Sequence, residues 1–473
     1  LKLGGNLTFT GSDLVAGSYG RKGIFVQLGN SFRQLGNSRV DLMGGTRDFN
    51  IATDAIYTIT APITNGGLTK SGGGALVLEP YQASNFAGAI TVNAGVLQAK
   101  GDGAFGTSAG GVTINNGGTV KLDSGWTYSD DFVVTGPGAL APGGLGVREV
   151  GALVALGGFS RLTGAVALGG SATLAGDVFL DPSVAPGAGG MAYRIGTLRI
   201  ESAGGITGAG HLTLSGHGDG VVAAGVNTSS GGVTKDGAGR WTLAGPGSYL
   251  GTTAVAAGTL RVTNNAALGS TSAGTTVYGG ATLELLGGIS LAEPLTLNGS
   301  GVSSQSGAVV NVGGANTLAG SITLLGATLR SDSGTLTVTG AISGAGNELT
   351  LAGAATGIVS SNITAGALSK RGTGTWTLTG ANTLSGGTEV SGGTLVLDYT
   401  SNNGDKINAA GALTMRGGTL SILGSNSAAT AQSVGGLTLA EGGAVIQVAN
   451  GTGQSATLNL GNISRSSTSG QRR

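Results

Sequence analysis

An all-β fold, coiled as a parallel β-helix, is what this sequence predicts, and three observations carry the prediction. Glycine supplies 97 of the 473 residues, while proline supplies 8 and charged residues only 10%. Apolar residues alternate with Ser and Thr over short runs, and Gly closes nearly every run. A longer unit, with large and small residues at fixed offsets, recurs three times.

The composition narrows the classes. Glycine is about a fifth of the chain, roughly three times its usual share, yet low proline and the lack of a three-residue period exclude collagen. Hydrophobic residues at 40% are too many for a disordered chain. Gly in nearly every window disfavours helices. Aromatics at 4% leave a narrow core of Leu, Val, Ile and Ala, which suits an elongated rod better than a globule. The net charge is +1 and the basic residues are scattered singly, which argues against a nucleic-acid partner. Without cysteine there is no disulfide framework and no thiolate metal site. No apolar run reaches the ~18 residues of a helical membrane span. The opening LKLGGNLTFTGSD has no signal-peptide core, so any export signal is expected outside this segment.

The three copies begin LTKSGGGALVLEP at Leu68, VTKDGAGRWTLAG at Val233 and LSKRGTGTWTLTG at Leu368. Lys70, Lys235 and Lys370 are each followed by Gly two and four positions on. A large residue comes next (Leu76, Trp241, Trp376), and then Leu78, Leu243 and Leu378. A second frame continues past a turn. Phe86, Tyr249 and Leu384 precede Val92, Val255 and Val390, followed by Gly95, Gly258 and Gly393 and by Leu97, Leu260 and Leu395.

In each first frame the large residue and the Leu two positions on point one way and the residue between them the other, as in a strand. Gly at fixed offsets fits tight corners, because it enters φ > 0 without a Cβ clash. No recurrent Asn-Gly hairpin joins the strands, which argues against an antiparallel meander. A short strand cannot bury its apolar face alone, but stacked copies make a continuous core. With about 20 to 25 residues per turn, the chain would make roughly 20 turns spaced about 4.8 Å apart.

The K-x-G-x-G-x-Φ-x-L motif followed by the G-x-L strand resembles the autotransporter-associated β-strand repeat, or passenger-associated transport repeat, at 68–99, 233–262 and 368–397. The resemblance implies a right-handed β-helical passenger carried across the outer membrane and displayed at the bacterial cell surface. It also implies a stalk-like role and a translocator β-barrel or other export machinery as partner, supplied outside this segment. No strand series of that barrel type is evident here. Residues 1–473 are expected to form a single continuous β-helix, a piece of a longer protein.

Parallel β-helices also host polysaccharide-active enzymes, which work through paired acids. Asp130-Asp131 and Gly216-His217-Gly218 resemble polygalacturonase elements, but at 85 residues apart they are expected about four coils from each other. Glycosidic hydrolysis needs carboxylates within about 10 Å. The expectation is two solvated turn acids and a surface His. SGHGDG at Asp219 occurs once, not as tandem calcium repeats, and reads as a turn. His211 and His217 fit no nucleophilic triad. Trp126, Trp241 and Trp376 are of the type that stacks on sugars, but Trp241 and Trp376 share the phase of Leu76, so core filling is expected. Lys70, Lys235 and Lys370 are expected at solvated corners that discourage strand addition. Thr335, Thr337 and Thr339, with Thr375, Thr377 and Thr379, form outward T-x-T rows; such rows serve ice-binding solenoids when they recur at every coil, and here they read as sporadic.

No catalytic, cofactor-binding or metal-binding residue is assigned, and no cofactor is expected. The leading expectation is a structural stalk, supporting adhesion or display through contacts with host or other cell surfaces or with itself. The alternatives are a self-assembling extracellular filament subunit and a polysaccharide-active β-helix enzyme.

Overall fold

The computed structural model describes the strands Leu7–Phe9 and Gly23–Val26 and residues 39–466, apart from positions 54, 102, 124, 140–150 and 181–192. Among these residues every regular element is a β-strand. The strands stack in parallel as a β-solenoid of about 18 turns, and the chain divides into two compact units, Leu1–Gly251 and Thr252–Arg473.

The local cause is the alternation seen in the sequence. Strand Thr375–Leu378 buries Trp376 and Leu378 and leaves Thr375 and Thr377 half-exposed. Corners fall where a residue without Cβ can turn. Gly72, Gly237 and Gly372 take φ of 73°, 72° and 71°, the left-handed region closed to most side chains.

In the first unit, one ladder runs through Gly67–Ser71, Ile90–Val92, Val112–Ile114, Phe132–Gly136, Val166–Leu180 and Ile206–Gly208. A second passes through Ala75–Leu78, Gly95–Ala99, Gly118–Leu122 and Leu153–Leu156. A third joins Thr127–Tyr128, Gly158–Leu162, Tyr193–Ile200, Asp219–Val222 and Arg240–Leu243. Leu68 aligns with Ile90 and Ile90 with Val112, a 22-residue turn, within the expected range. Phe132 to Val166 and Val166 to Ile206 take 34 and 40 residues. Within the longer of these two turns, residues 178–180 pair antiparallel with 193–195.

In the second unit an eight-stranded parallel ladder runs from Ser290–Leu291 to Ala444–Ala449. Another runs through Thr275–Val277, Leu295–Gly299, Ile322–Ser331, Ile342–Gly344, Ile363–Ala365 and Thr383–Leu384. Inward columns fill the core. Leu329, Leu351, Lys370, Val390 and Met415 lie one above another, all buried. A lysine occupies an interior column otherwise made of aliphatic side chains, and this leads to the site.

Candidate functional site

The repeat lysines point inward. Leu68 and Lys70 share a face of strand Gly67–Ser71, and Lys70 stacks between Phe49 and Val92. Lys70, Lys235 and Lys370 are each 0% exposed, which corrects the expectation of solvated corners. The four-carbon stem continues the apolar column, as long basic side chains do when only the head needs polar partners.

The head finds those partners at two corners. Lys370 Nζ donates to the carbonyls of Arg371 and Gly372 at 2.9 and 3.0 Å, and to Gly392 of the following turn at 3.0 Å. Lys70 Nζ donates to Ser71 and Gly72, both at 2.8 Å, and to Ala94 of the following turn at 3.1 Å. Lys235 Nζ reaches Asp236 and Gly237 at 2.7 and 2.8 Å. An ammonium has three N–H donors, and Lys70 and Lys370 each place them on three backbone carbonyls. The left-handed glycine two positions on turns its carbonyl back at the lysine. Ala94 and Gly392 immediately precede Gly95 and Gly393, whose φ of 68° and 58° make the second corner. The two frames of the repeat are therefore tied together by one ammonium.

Burial pushes all three ammonium groups down to about 8, opposed at Lys70 by the nearby Asp48 and at Lys235 by Asp236 and Asp219. Between about 8 and the usual 10.5 the unfolded chain binds more protons than the folded one, so stability rises with pH across that window and levels off above it. Urea midpoints measured from pH 7 to pH 11 check this, and a Lys370→Met variant should show a shallower rise.

Beside the clamp stands the large residue. Trp241 and Trp376 are fully buried, as core filling requires, and their indole N–H groups donate to Ser215 and Ala352 carbonyls at 3.0 and 2.9 Å. Each ring lies against a glycine of the preceding turn. A Cβ at Gly220 or Gly357 would come within 2.3 Å of a ring carbon. The first copy solves the same space in reverse, with Tyr57 in the preceding turn opposite Leu76.

A fourth interior ammonium has no repeat motif to mark it. Lys406 is fully buried, donates to Asn402 and Gly404 carbonyls at 2.7 and 3.1 Å, and lies 4.7 Å from the centre of the Tyr399 ring. Asn311 and Asn316 form a similar internal relay. Asn316 Oδ1 accepts from the backbone of Gly288 and Ile289, and Asn311 Nδ2 donates to the Ser333 carbonyl. Polar side chains in a solenoid interior serve the corner backbone groups that the ladders leave over.

The acidic pair and the histidines lie elsewhere. Asp130 is buried rather than solvated, and burial raises its carboxyl. Asp131 is exposed and accepts from the Ala165 N–H at 2.7 Å. His217 is exposed and sits 3.7 Å from Asp177. Two turns, not four, separate it from Asp131, because the intervening turns are long. Asp219 accepts from the Arg240 N–H at 3.0 Å, an ordinary link between successive turns. His211 hydrogen-bonds Thr234 at 2.8 Å. Among the described residues no three His, Asp or Glu side chains are grouped to hold a metal ion. Trp126 is 41% exposed, unlike the other two tryptophans.

Glu293 is buried and its carboxyl is pushed up to about 7, with the Thr275 hydroxyl donating to it at 3.3 Å. The folded state holds this proton above the usual 4.5, so its contribution is full below 4.5 and is lost as pH rises through 7. Glu293→Gln should therefore unfold at higher urea than the parent at pH 8 and lack that fall.

Residues 68–99, 233–262 and 368–397 match the family described as passenger-associated-transport-repeat. No curated protein and no solved structure matches the chain. The matched segments contain the lysine, its corner glycines and the strand that follows. The protein is a β-solenoid carrying three passenger-associated-transport-repeats, and it fits an autotransporter passenger domain.

Proposed function

We propose that this chain is a structural stalk, a passenger segment of an exported bacterial surface protein that supports adhesion or display and carries out no catalysis of its own. The observation that supports it most is the lysine clamp inside the passenger repeats. It spends the repeat's polar residues on joining one turn to the next and buries them, which is chemistry for holding a coil together rather than for acting on a ligand. Its partner in export is a translocator β-barrel or equivalent machinery supplied outside this segment. No helix among the described residues is long and apolar enough to cross a membrane.

The test uses an antibody to this segment on intact and fractionated cells. Labelling of intact cells, removed by external protease, supports the reading. A signal confined to the cytoplasm overturns it and sends the search to filament assembly and glycan cleavage.

A further inference from the structure

The T-x-T rows are sporadic along the sequence, but once the turns are stacked Thr335 and Thr375 fall in an unbroken threonine column. Thr335, Thr356, Thr375, Thr394 and Thr419 form one outward column across five successive strands of the second unit. Beside it Thr337, Ile358, Thr377, Val396 and Ser421 form a second. Thr339, Ser360 and Thr379 flank them as a third rank. No register shift interrupts the pairing from Thr335–Val338 to Gly418–Leu423.

We propose that this face is an ice-binding surface. Neighbouring positions repeat every ~4.8 Å across the turns and about every 6.7 Å along a strand, a regular mesh that an ordered water lattice can share. Each threonine offers a methyl group that keeps bulk water off and a hydroxyl that can join the lattice. β-Branching stiffens χ1, so little side-chain freedom is left to lose on binding. Among the described residues, Thr339 and Ser360 turn their hydroxyls back to backbone carbonyls, at 3.5 and 3.3 Å. Among the described residues no side-chain hydrogen bond engages the hydroxyls of Thr335, Thr337, Thr356, Thr375 or Thr377. Residues 335–339, 356–360 and 375–379 contain no ionisable side chain whose own hydration shell would break the mesh; in the next strand Asp398 takes the place after Thr379 in the third rank, so the uncharged three-rank face spans these three strands. Behind the face, Leu336, Val338, Trp376, Leu378, Leu395 and Leu397 are fully buried, so the array rests on packed core.

Other faces of this unit lack the combination. One bears the ion pairs Arg330–Asp332 and Arg416–Glu389. Another carries a hydroxyl column, Thr276, Thr296, Thr323, Ser343, Thr364 and Thr383, but only one rank wide. The proposed face also presents no outward aromatic ring between Thr335 and Thr379, so sugar stacking does not explain it.

The test measures partition of the 473-residue chain into slowly grown ice, together with thermal hysteresis. The variants are Thr375→Tyr/Thr377→Tyr, Thr356→Lys and, as control, Thr364→Tyr on the single-rank column. Circular dichroism and urea midpoints confirm that each is folded. The proposal predicts several-fold enrichment of the parent in ice relative to serum albumin, its loss in either face variant, and its retention in Thr364→Tyr. Exclusion of the parent from ice overturns it, even if the parent binds crystalline cellulose or self-associates through this face. Equal loss in Thr364→Tyr overturns it as well.

Discussion

Replacing Trp376 by alanine is expected to cost about 3–5 kcal/mol of stability in the second unit, the range for emptying a large aromatic site in a packed core. The indole is fully buried, its N–H satisfies the Ala352 carbonyl, and the glycine opposite offers no side chain to fill the space. Gly357→Ala attacks the same contact from the other side. Its Cβ would sit 2.3 Å from a ring carbon, so the ring or the turn must shift, at about 1–3 kcal/mol. The two positions act on one volume and must couple. Combining Gly357→Ala with Trp376→Leu should cost less than the sum of the single changes, because a smaller ring-side residue admits the methyl group. The pair of Tyr57 over Leu76 in the first repeat shows that the site accepts large-over-small packing. A double-mutant cycle read by urea denaturation would show a coupling of about 0.5–3 kcal/mol; strict additivity would place Trp376 and Gly357 out of contact.

Lys370→Met is expected to destabilise the same unit by about 1–3 kcal/mol at pH 7, although methionine suits an aliphatic column. The stem would be replaced almost atom for atom, so packing is nearly preserved. What is lost is the donor set for the Arg371, Gly372 and Gly392 carbonyls. Removing a desolvated charge returns part of that cost, which keeps the expected loss below that of the tryptophan. Lys370→Arg should not restore stability, because a planar guanidinium with five forked donors cannot aim three N–H groups from one point. A charge-only role would be rescued by arginine, and the denaturation midpoints of the two variants separate the cases.

The strand-and-corner pattern was legible in the sequence because it is local. Alternation fixes which side chains face inward, and the corner glycines stand at constant offsets from Lys70, Lys235 and Lys370. The same alternation put each lysine in phase with Leu68, Val233 or Leu368, so its inward direction was written there too. The expectation that charge seeks water outweighed it, and the corner carbonyls that reverse this preference become visible only when turns are stacked. The threonine columns were hidden for a related reason. Thr356, Thr394 and Thr419 fall outside any T-x-T pair, and unequal turn lengths bring them into line with Thr335 and Thr375. Lys406 and the Asn311–Asn316 relay carried no motif, since each serves a single irregular corner.

Lysine accessibility in the native chain tests the clamp most directly. Brief amine acetylation of the folded protein, read residue by residue by mass spectrometry, should modify Lys100, which lies in a surface pair with Glu79. Lys70, Lys235, Lys370 and Lys406 should stay unmodified until urea unfolds the chain. Acetylation of Lys370 at the rate of Lys100 in the folded protein would contradict the buried clamp and, with it, this account of how the repeats hold their turns together.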